Sequence, residues 1–349
     1  MAIGQLQADT AFVVHLRSYG FFHSGRERLR VQVLKRTWEH IPGSTLYGAV
    51  AAALIRLDGL VDDGPESFEN GPGDYHTLLR AVKRRQVRFT PLIPVAEGQA
   101  LHSGEDYCKQ AMRLHAAVYA VPGVAAAETG RHEECLFHTT PHAPLSRATE
   151  QIHGDQLFAI RTHRPLLDYY GFIFADAGLK DLLLRALRLL PFIPFGGRGK
   201  FSLVEGQVLE ALSLDGFAAA LCQWAAGREK WVRLLTPMVL SDGQAEGPLT
   251  GTGREAVMSG LRRYRVWRTG RYYDAVHGTF GRAMGTEPGE GVDPDAPFLP
   301  GGLESDAVLA VPERSRFRLL EGDEVARWFV EGVGNPSWTY LGWGQVVME

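Results

Sequence analysis

Apolar and β-branched positions crowd the start of the chain. Ala11 to Phe22 reads AFVVHLRSYGFF with partial alternation, which predicts a strand turning at His23, Ser24 and Gly25 into a second strand along the basic stretch Arg26 to Arg36. The period changes from Trp38 to Leu57. A short extended piece and a Pro-Gly-Ser turn lead into an alanine-rich run that predicts a helix from about Ser44, with Ser44 or Thr45 as its N-cap. A Gly/Asp/Glu-rich loop, Asp58 to Asp74, precedes a basic run, Arg80 to Arg88, that enters the strand-like FTPLIPV. Gln156 to Phe174 predicts two strands about a short connection, and Leu179 to Leu190 a leucine-rich helix stopped by Pro191. The cluster Gly196-Gly197-Arg198-Gly199-Lys200 separates that helix from an alternating strand, Phe201 to Leu209, at a point where glycine allows close approach of another backbone.

Beyond Gly206 the same kinds of element recur. A helix is predicted around Phe217 to Ala226 and a strand around Trp231 to Leu240. From Val308 come a strand, a helix (Asp323 to Glu331), a glycine loop (Gly332 to Pro336) and a last strand in TYLGWGQVVM. Each half thus ends in helix, glycine loop and strand. That is the pattern of tandem α+β domains with split β-α-β connections, commonest in the ferredoxin-like sheet, and it divides the chain into residues 1–210 and 211–349.

Length agrees, since 349 residues at ~150 per domain give about two domains, and 45% apolar residues suffice for a core. The balance of 37 Lys+Arg against 40 Asp+Glu leaves net −3, so any nucleic-acid footprint must be local. Cys108, Cys135 and Cys222 lie far apart, which excludes a disulfide framework and suits a reducing compartment. MAIGQLQADT lacks a cationic-then-apolar layout and no apolar run reaches the ~18 residues of a span, so the expected setting is cytoplasmic, without a membrane partner.

The strongest local charge lies from Arg254 to Arg282. Seven arginines there, including Arg262, Arg263, Arg265, Arg268 and Arg271, stand against Glu255 and Asp274 and interleave with Tyr264, Trp267, Tyr272, Tyr273 and Phe280. Arginine forks grip phosphates and aromatic faces stack unpaired bases; the competing reading is a solvated helix whose aromatics face the core. The next thirty residues hold six acids and no base, a loop or a partner surface. Arg80, Lys83, Arg84, Arg85 and Arg88 form a second basic run, read as a solvated face or an RNA contact.

Other chemistry is thinner. GGRGKFS lacks the Walker residues, having Pro194 and Phe201 where Gly and Ser/Thr are needed, and GTGREA lacks the strand and acid of a dinucleotide site. His132, Cys135, His138 and His142 are zinc-type donors, yet strand spacing sends the first two to opposite faces and no second pair exists, so neither metal nor cofactor is expected. Without GxSxG or HExxH, only His15, His23 or His40 offers a general base, and no catalytic residue is expected.

Four segments carry a resemblance. IPGSTLYGAVAAAL (Ile41 to Leu54) resembles the IPGSSLKGALR-type segment of the RAMP superfamily of CRISPR-associated proteins, and Gly196 to Lys200 resembles its glycine-rich loop. Leu145 to Ile173, with Tyr170-Gly171-Phe172-Ile173, is similar to its F/Y-x-G-x-I-like strand. Val308 to Met348, with Gly332-Val333-Gly334 and Gly342-Trp343-Gly344, is similar to the closing segment of larger type III members.

The resemblance implies tandem ferredoxin-like (RRM-like) domains with glycine-rich loops and insertions. It implies a non-catalytic subunit of a type III effector complex that binds the 5′ repeat-derived tag of the guide RNA (crRNA), beside a large signalling subunit and a backbone subunit, with target RNA met indirectly. The RNA-binding residues would be Arg26, Arg28, Gly43, Ser44, Thr45, Gly48, Gly196, Gly197, Arg198, Gly199, Lys200, Arg262, Arg263, Arg265, Arg268, Arg271, Tyr272 and Tyr273. Tyr47 departs from the pattern, which commonly has Lys or Arg there. The slicing aspartate of backbone subunits is also missing, since Gly20 to Ile41 holds Glu27 and Glu39 but no Asp. The alternatives are a backbone subunit or a metal-independent repeat-processing endoribonuclease using His23.

Overall fold

The computed structural model describes residues 6–24, 34–35, 37–58, 73–95, 136–142, 158–197, 200–225, 231–240, 255–257, 261–267, 271–274, 279–282, 305–319 and 325–348. The first half runs β1 (Thr10–Ser18), β2 (Leu34–Lys35), α1 (Gly43–Leu57), α2 (Asp74–Lys83), β3 (Val87–Phe89), β4 (Ile93–Val95), β5 (Phe137–His142), β6 (Phe158–His163) and β7 (Asp168–Ala175). It continues with α3 (Lys180–Leu189), β8 (Phe195–Gly197), β9 (Lys200–Ser202) and β10 (Val204–Ser213). The second half holds α4 (Leu214–Ala225), β11 (Trp231–Leu234), β12 (Met238–Val239), β13 (Ala256–Val257), β14 (Arg262–Trp267), β15 (Arg271–Asp274) and β16 (Thr279–Arg282). β17 (Ser305–Val311), β18 (Arg316–Arg318), α5 (Val325–Glu331), α6 (Pro336–Thr339) and β19 (Val346–Met348) close it.

The class is α+β with antiparallel main sheets. In the first sheet the order is β10-β1-β7-β3, with β4 also on β7 and every pairing antiparallel. α1 connects β1 to β3, α3 connects β7 to β10, and each crossover skips over one strand. The second sheet, β19-β11-β18-β13, is also antiparallel and repeats that permutation, with α5 between β18 and β19. β12-β17-β14 form a third sheet and β15-β16 a separate hairpin.

Burial explains the apolar density of β1. Phe12, Val14 and Leu16 face α1 and α3 in the larger core, whereas Ala11 and Val13 point the other way with Phe172 and Phe174 of β7. That second face is closed by Phe217 of α4, Phe329 of α5 and Phe317 and Val346 of the second sheet. A sheet covered on both faces needs apolar residues at consecutive positions, hence the weak alternation.

Several expectations change. α1 starts at Gly43 rather than Ser44, with Pro42 as N-cap and no side-chain cap; the Pro42 carbonyl accepts from Thr45 and Leu46 N–H at 2.9 and 3.2 Å. Asp74–Lys83 is a helix, which the run of charges hid, and Asp58 accepts from Tyr75 N–H at 2.8 Å at its start. The Arg/aromatic segment, where described, is strand rather than helix. Of the predicted last strand only Val346–Met348 is extended, because Gly342 and Gly344 at φ +84° and +64° turn the chain beforehand. Among the described residues, no helix is long and apolar enough to cross a membrane.

Candidate nucleic-acid interface

Three of the four resemblance segments meet at the bend Phe89 to Leu92. A Cβ on Gly43 would strike the carbonyl oxygens of Phe89 and Leu341, and one on Gly342 would lie 2.7 Å from Phe89 O and 3.3 Å from Gly43 Cα. One on Gly171 would lie 2.7 Å from Pro91 O. Only glycine permits these approaches, so Gly43 is a packing residue and the entry of α1 is seated against the loop at Gly342. The fourth segment adjoins the same helix: β8, with Gly196 at φ +121°, packs on α1 and pairs with β9.

Outward from this junction the fold leaves room. Ser44, Thr45 and Gly48 are half-buried, and a Cβ at Gly48 would meet nothing within 4 Å. Tyr47 turns inward instead, its ring 5.5 Å from that of Phe89, and burial pushes its hydroxyl pKa well up, so it is a core residue. Val239 and Ala310 of the third sheet pack with Trp38, Trp338 and Trp343 beside the α1 entry, which brings β14 two strands away. β14 carries Arg262, Arg263 and Arg265. β15, with Arg271, Tyr272 and Tyr273, lies against α1. Gly43, Ser44, Thr45, Gly48, Gly196, Gly197 and Arg271 to Tyr273 are therefore gathered around one helix, and Lys200 is on β9. Arg26, Arg28, Arg198, Gly199 and Arg268 lie outside the described residues.

The loop from β1 into α1 is anchored from beneath by a buried polar cluster. Ser24 Oγ lies 2.7 Å from Thr37 Oγ1 and 2.9 Å from His163 Nε2, while Tyr169 OH lies 3.1 Å from His163 Nδ1. Phe22 stacks on His163 at 4.6 Å. Burial, then the neighbouring His40, His23 and Arg161, push the His163 imidazole down to about 3, so it is neutral at any ordinary pH. His23 and His40 are 1% and 2% exposed and closed to substrate. His15, the third candidate base, is engaged by Asp168 at 2.8 Å and Gln207 at 3.0 Å.

Arg88 is a correction to the basic-run reading. It is 1% exposed, fixed in β3, and its guanidinium donates to the carbonyls of Thr339, Phe329 and Val330 and to Gln345 Oε1, at 2.8, 3.0, 2.6 and 2.8 Å. Two of those acceptors belong to the C-terminal end of α5, where a cation complements the helix dipole. Desolvation pulls the guanidinium down to about 9 while Glu331 raises it, so the group is charged at neutral pH. Sequence composition could not separate this arginine from its exposed neighbours Arg84 and Arg85.

Of the zinc-type donors, His132 and Cys135 lie outside the described residues, and His138 is exposed on β5, the strand that ends at His142. Among the described residues no three His, Cys, Asp or Glu side chains are placed to hold a metal. Sequence reasoning also passed over Arg17 and Tyr19, which with His15 line a cleft at the edge of β10. The polar residues His15 and Arg17, two apart in an apolar strand, were the available signal.

No family model matches the chain, and no curated protein matches it. The chain is similar to one from the type III-B Cmr-beta bound to cognate target RNA and AMPPnP, at 12% identity and TM-score 0.39, covering 88% of this chain and 86% of that one. A chain of the Csm3-Csm4 subcomplex in the type III-A CRISPR-Cas interference complex gives 11% and 0.40 over 88% and 92%. Cmr6 from Pyrococcus furiosus gives 10% and 0.31 over 56% and 98%. All three are Cmr or Csm chains. The overlaps are partial, and the residues around α1 carry the functional reading.

Proposed function

We propose that this chain is a non-catalytic RNA-binding subunit of a type III CRISPR effector complex, holding the 5′ repeat-derived tag of the guide RNA. Its partners in this reading are the guide RNA, a large signalling subunit and a backbone subunit. The observation that carries it is that three of the four resemblance segments meet at the bend Phe89 to Leu92 and the fourth packs on α1, although they are scattered from Ile41 to Met348 along the sequence. The strand permutation shared by the two sheets supports tandem ferredoxin-like domains, 1–210 and 211–349, with the division falling in the last residues of β10.

Chemically, the helix start offers the Ser44 backbone N–H to a phosphate, β8 offers the glycine backbone of Gly196 and Gly197, and β14 and β15 supply arginine and tyrosine. Burial of His23 weighs against the endoribonuclease alternative that would use it as base.

The test is electrophoretic mobility of the purified chain with 5′-labelled repeat-derived RNA, with and without Arg262, Arg263 and Arg265 all changed to Ala, with parallel denaturing lanes. Retarded but intact RNA, released by the triple change, is expected. Shortened RNA would make the protein a processing nuclease.

A further inference from the structure

An open cleft of about 700 Å³ crosses the outer edge of β10 at Gly206. This volume lies within the roughly 300–1,000 Å³ of ligand sites. Leu187, Arg188 and Pro191 line one wall from the end of α3, and Arg17, Tyr19, Glu205 and Gln207 line the other with His15. A Cβ at 206 would strike Leu16, Leu187 and Leu190, so Gly206 lets α3 pack close to the sheet edge.

Tyr19 is 44% exposed, yet its hydroxyl donates to Glu205 Oε2 at 2.6 Å and its backbone N–H donates to Leu203 O at 3.0 Å. The ring is held by both ends and presents nearly half its surface to solvent. Arg17 and Arg188 are exposed cations, one on each wall. The two nearby carboxylates are already engaged, Asp168 with His15 and Glu205 with Tyr19, which moderates their repulsion of an anion.

We propose that this cleft is a nucleotide subsite in which one base of single-stranded RNA stacks on Tyr19 while Arg17 and Arg188 hold the flanking phosphates. The inference rests on the RNA-binding reading above and adds a contact that none of the four resemblance segments contains. A fixed aromatic face in a cleft that two arginines also line fits a base and its phosphates, because every base has a π-face and phosphates pair with the arginine fork. Glu205 retains acceptor capacity toward the base edge, which favours a base with an amino group over uracil. An apolar peptide is the poorer fit, since charged and polar side chains make up most of the walls.

The experiment uses the full chain and repeat-derived single-stranded RNA carrying 5-iodocytidine at successive positions, with photo-crosslinked peptides mapped by mass spectrometry and affinity measured alongside. One position is expected to crosslink at Tyr19. Tyr19→Leu should weaken binding about fivefold or more, the factor that corresponds to a stacking contribution of at least ~1 kcal/mol. Tyr19→Trp should restore it. Arg188→Ala, exposed on α3 and harmless to folding, should weaken binding and lower the salt slope by about 0.7. RNA that binds with unchanged affinity to Tyr19→Leu, with every crosslink elsewhere, overturns the subsite and leaves the RNA-binding reading intact. Loss of a protein partner but not of RNA in that variant makes the cleft a protein interface and also overturns it. A wild-type chain that binds no RNA removes both.

Discussion

Arg88 donates a hydrogen bond to the carbonyl of Val330 at 2.6 Å across 242 residues of sequence. With its three other acceptors, this one side chain ties β3 of the first half to the end of α5 and to Gln345 of the second. Arg88→Met would leave several buried carbonyls without a donor, and a loss of about 3–5 kcal/mol is expected. Arg88→Lys should also be costly, because an ammonium cannot span acceptors spread around a planar fork. Urea unfolding followed by fluorescence checks this; a midpoint within error of the parent for Arg88→Met would contradict it.

The architecture is partly legible in the sequence, and the gaps have physical causes. β1, α1, β7 and α3 are long periodic or densely apolar runs that local preference and burial agree upon, so Phe12 or Leu183 reads correctly. Arg88 does not, because its burial depends on carbonyls contributed some 240 residues later. The need for glycine at 43 is equally hidden, since it comes from the Phe89 and Leu341 carbonyls that no local window contains. The gathering of the glycine segments around α1 is tertiary, and only their family resemblance hinted at it.

Acid should destabilise the protein through His163. Its imidazole sits at about 3 when folded against an ordinary value of 6.5, so the unfolded chain binds the extra proton between those values. The contribution is fully present above pH 6.5 and declines as pH falls toward 3. About 1.4 kcal/mol is lost per pH unit, or roughly 2 kcal/mol by pH 5. Thermal melts from pH 7.5 to 5 should show the decline, and His163→Gln, which starts less stable, should show a shallower one. Parallel curves for the two proteins would assign the acid sensitivity elsewhere.

Two glycines on α1 should respond in opposite directions. Gly43→Ala drives a methyl into fixed carbonyl oxygens and is expected to cost about 1–3 kcal/mol. Gly48→Ala enters open space and should gain about 0.5–1 kcal/mol from helix preference, while weakening RNA binding where the RNA backbone passes close to the helix. Melting temperature and RNA affinity measured on both separate packing from binding. A Gly48→Ala protein that is stabilised and binds normally would move the RNA path away from α1.

If about five phosphates are gripped, log affinity for the tag RNA should fall with log salt at a slope near −3.5, at ~0.7 per phosphate for a single strand. The Arg262, Arg263 and Arg265 triple alanine variant should flatten that slope by up to about 2. Titrations across a tenfold range of salt decide it, and a flat response in the parent protein removes the phosphate-gripping model.

The two-sided sheet also sets a condition on how the protein is made. Val13, Phe172 and Phe174 find their cover in Phe329 and Val346. At about 5–20 residues per second, a ribosome needs roughly 10 to 35 s to travel from Phe174 to Val346. For most of that interval Phe217 of α4 covers part of this oily, strand-built surface and the rest stays open, which makes the nascent chain a client for holding chaperones. A chain cut short before its last strand would be released with that surface open, and the clipped product should aggregate rather than persist as a smaller soluble protein.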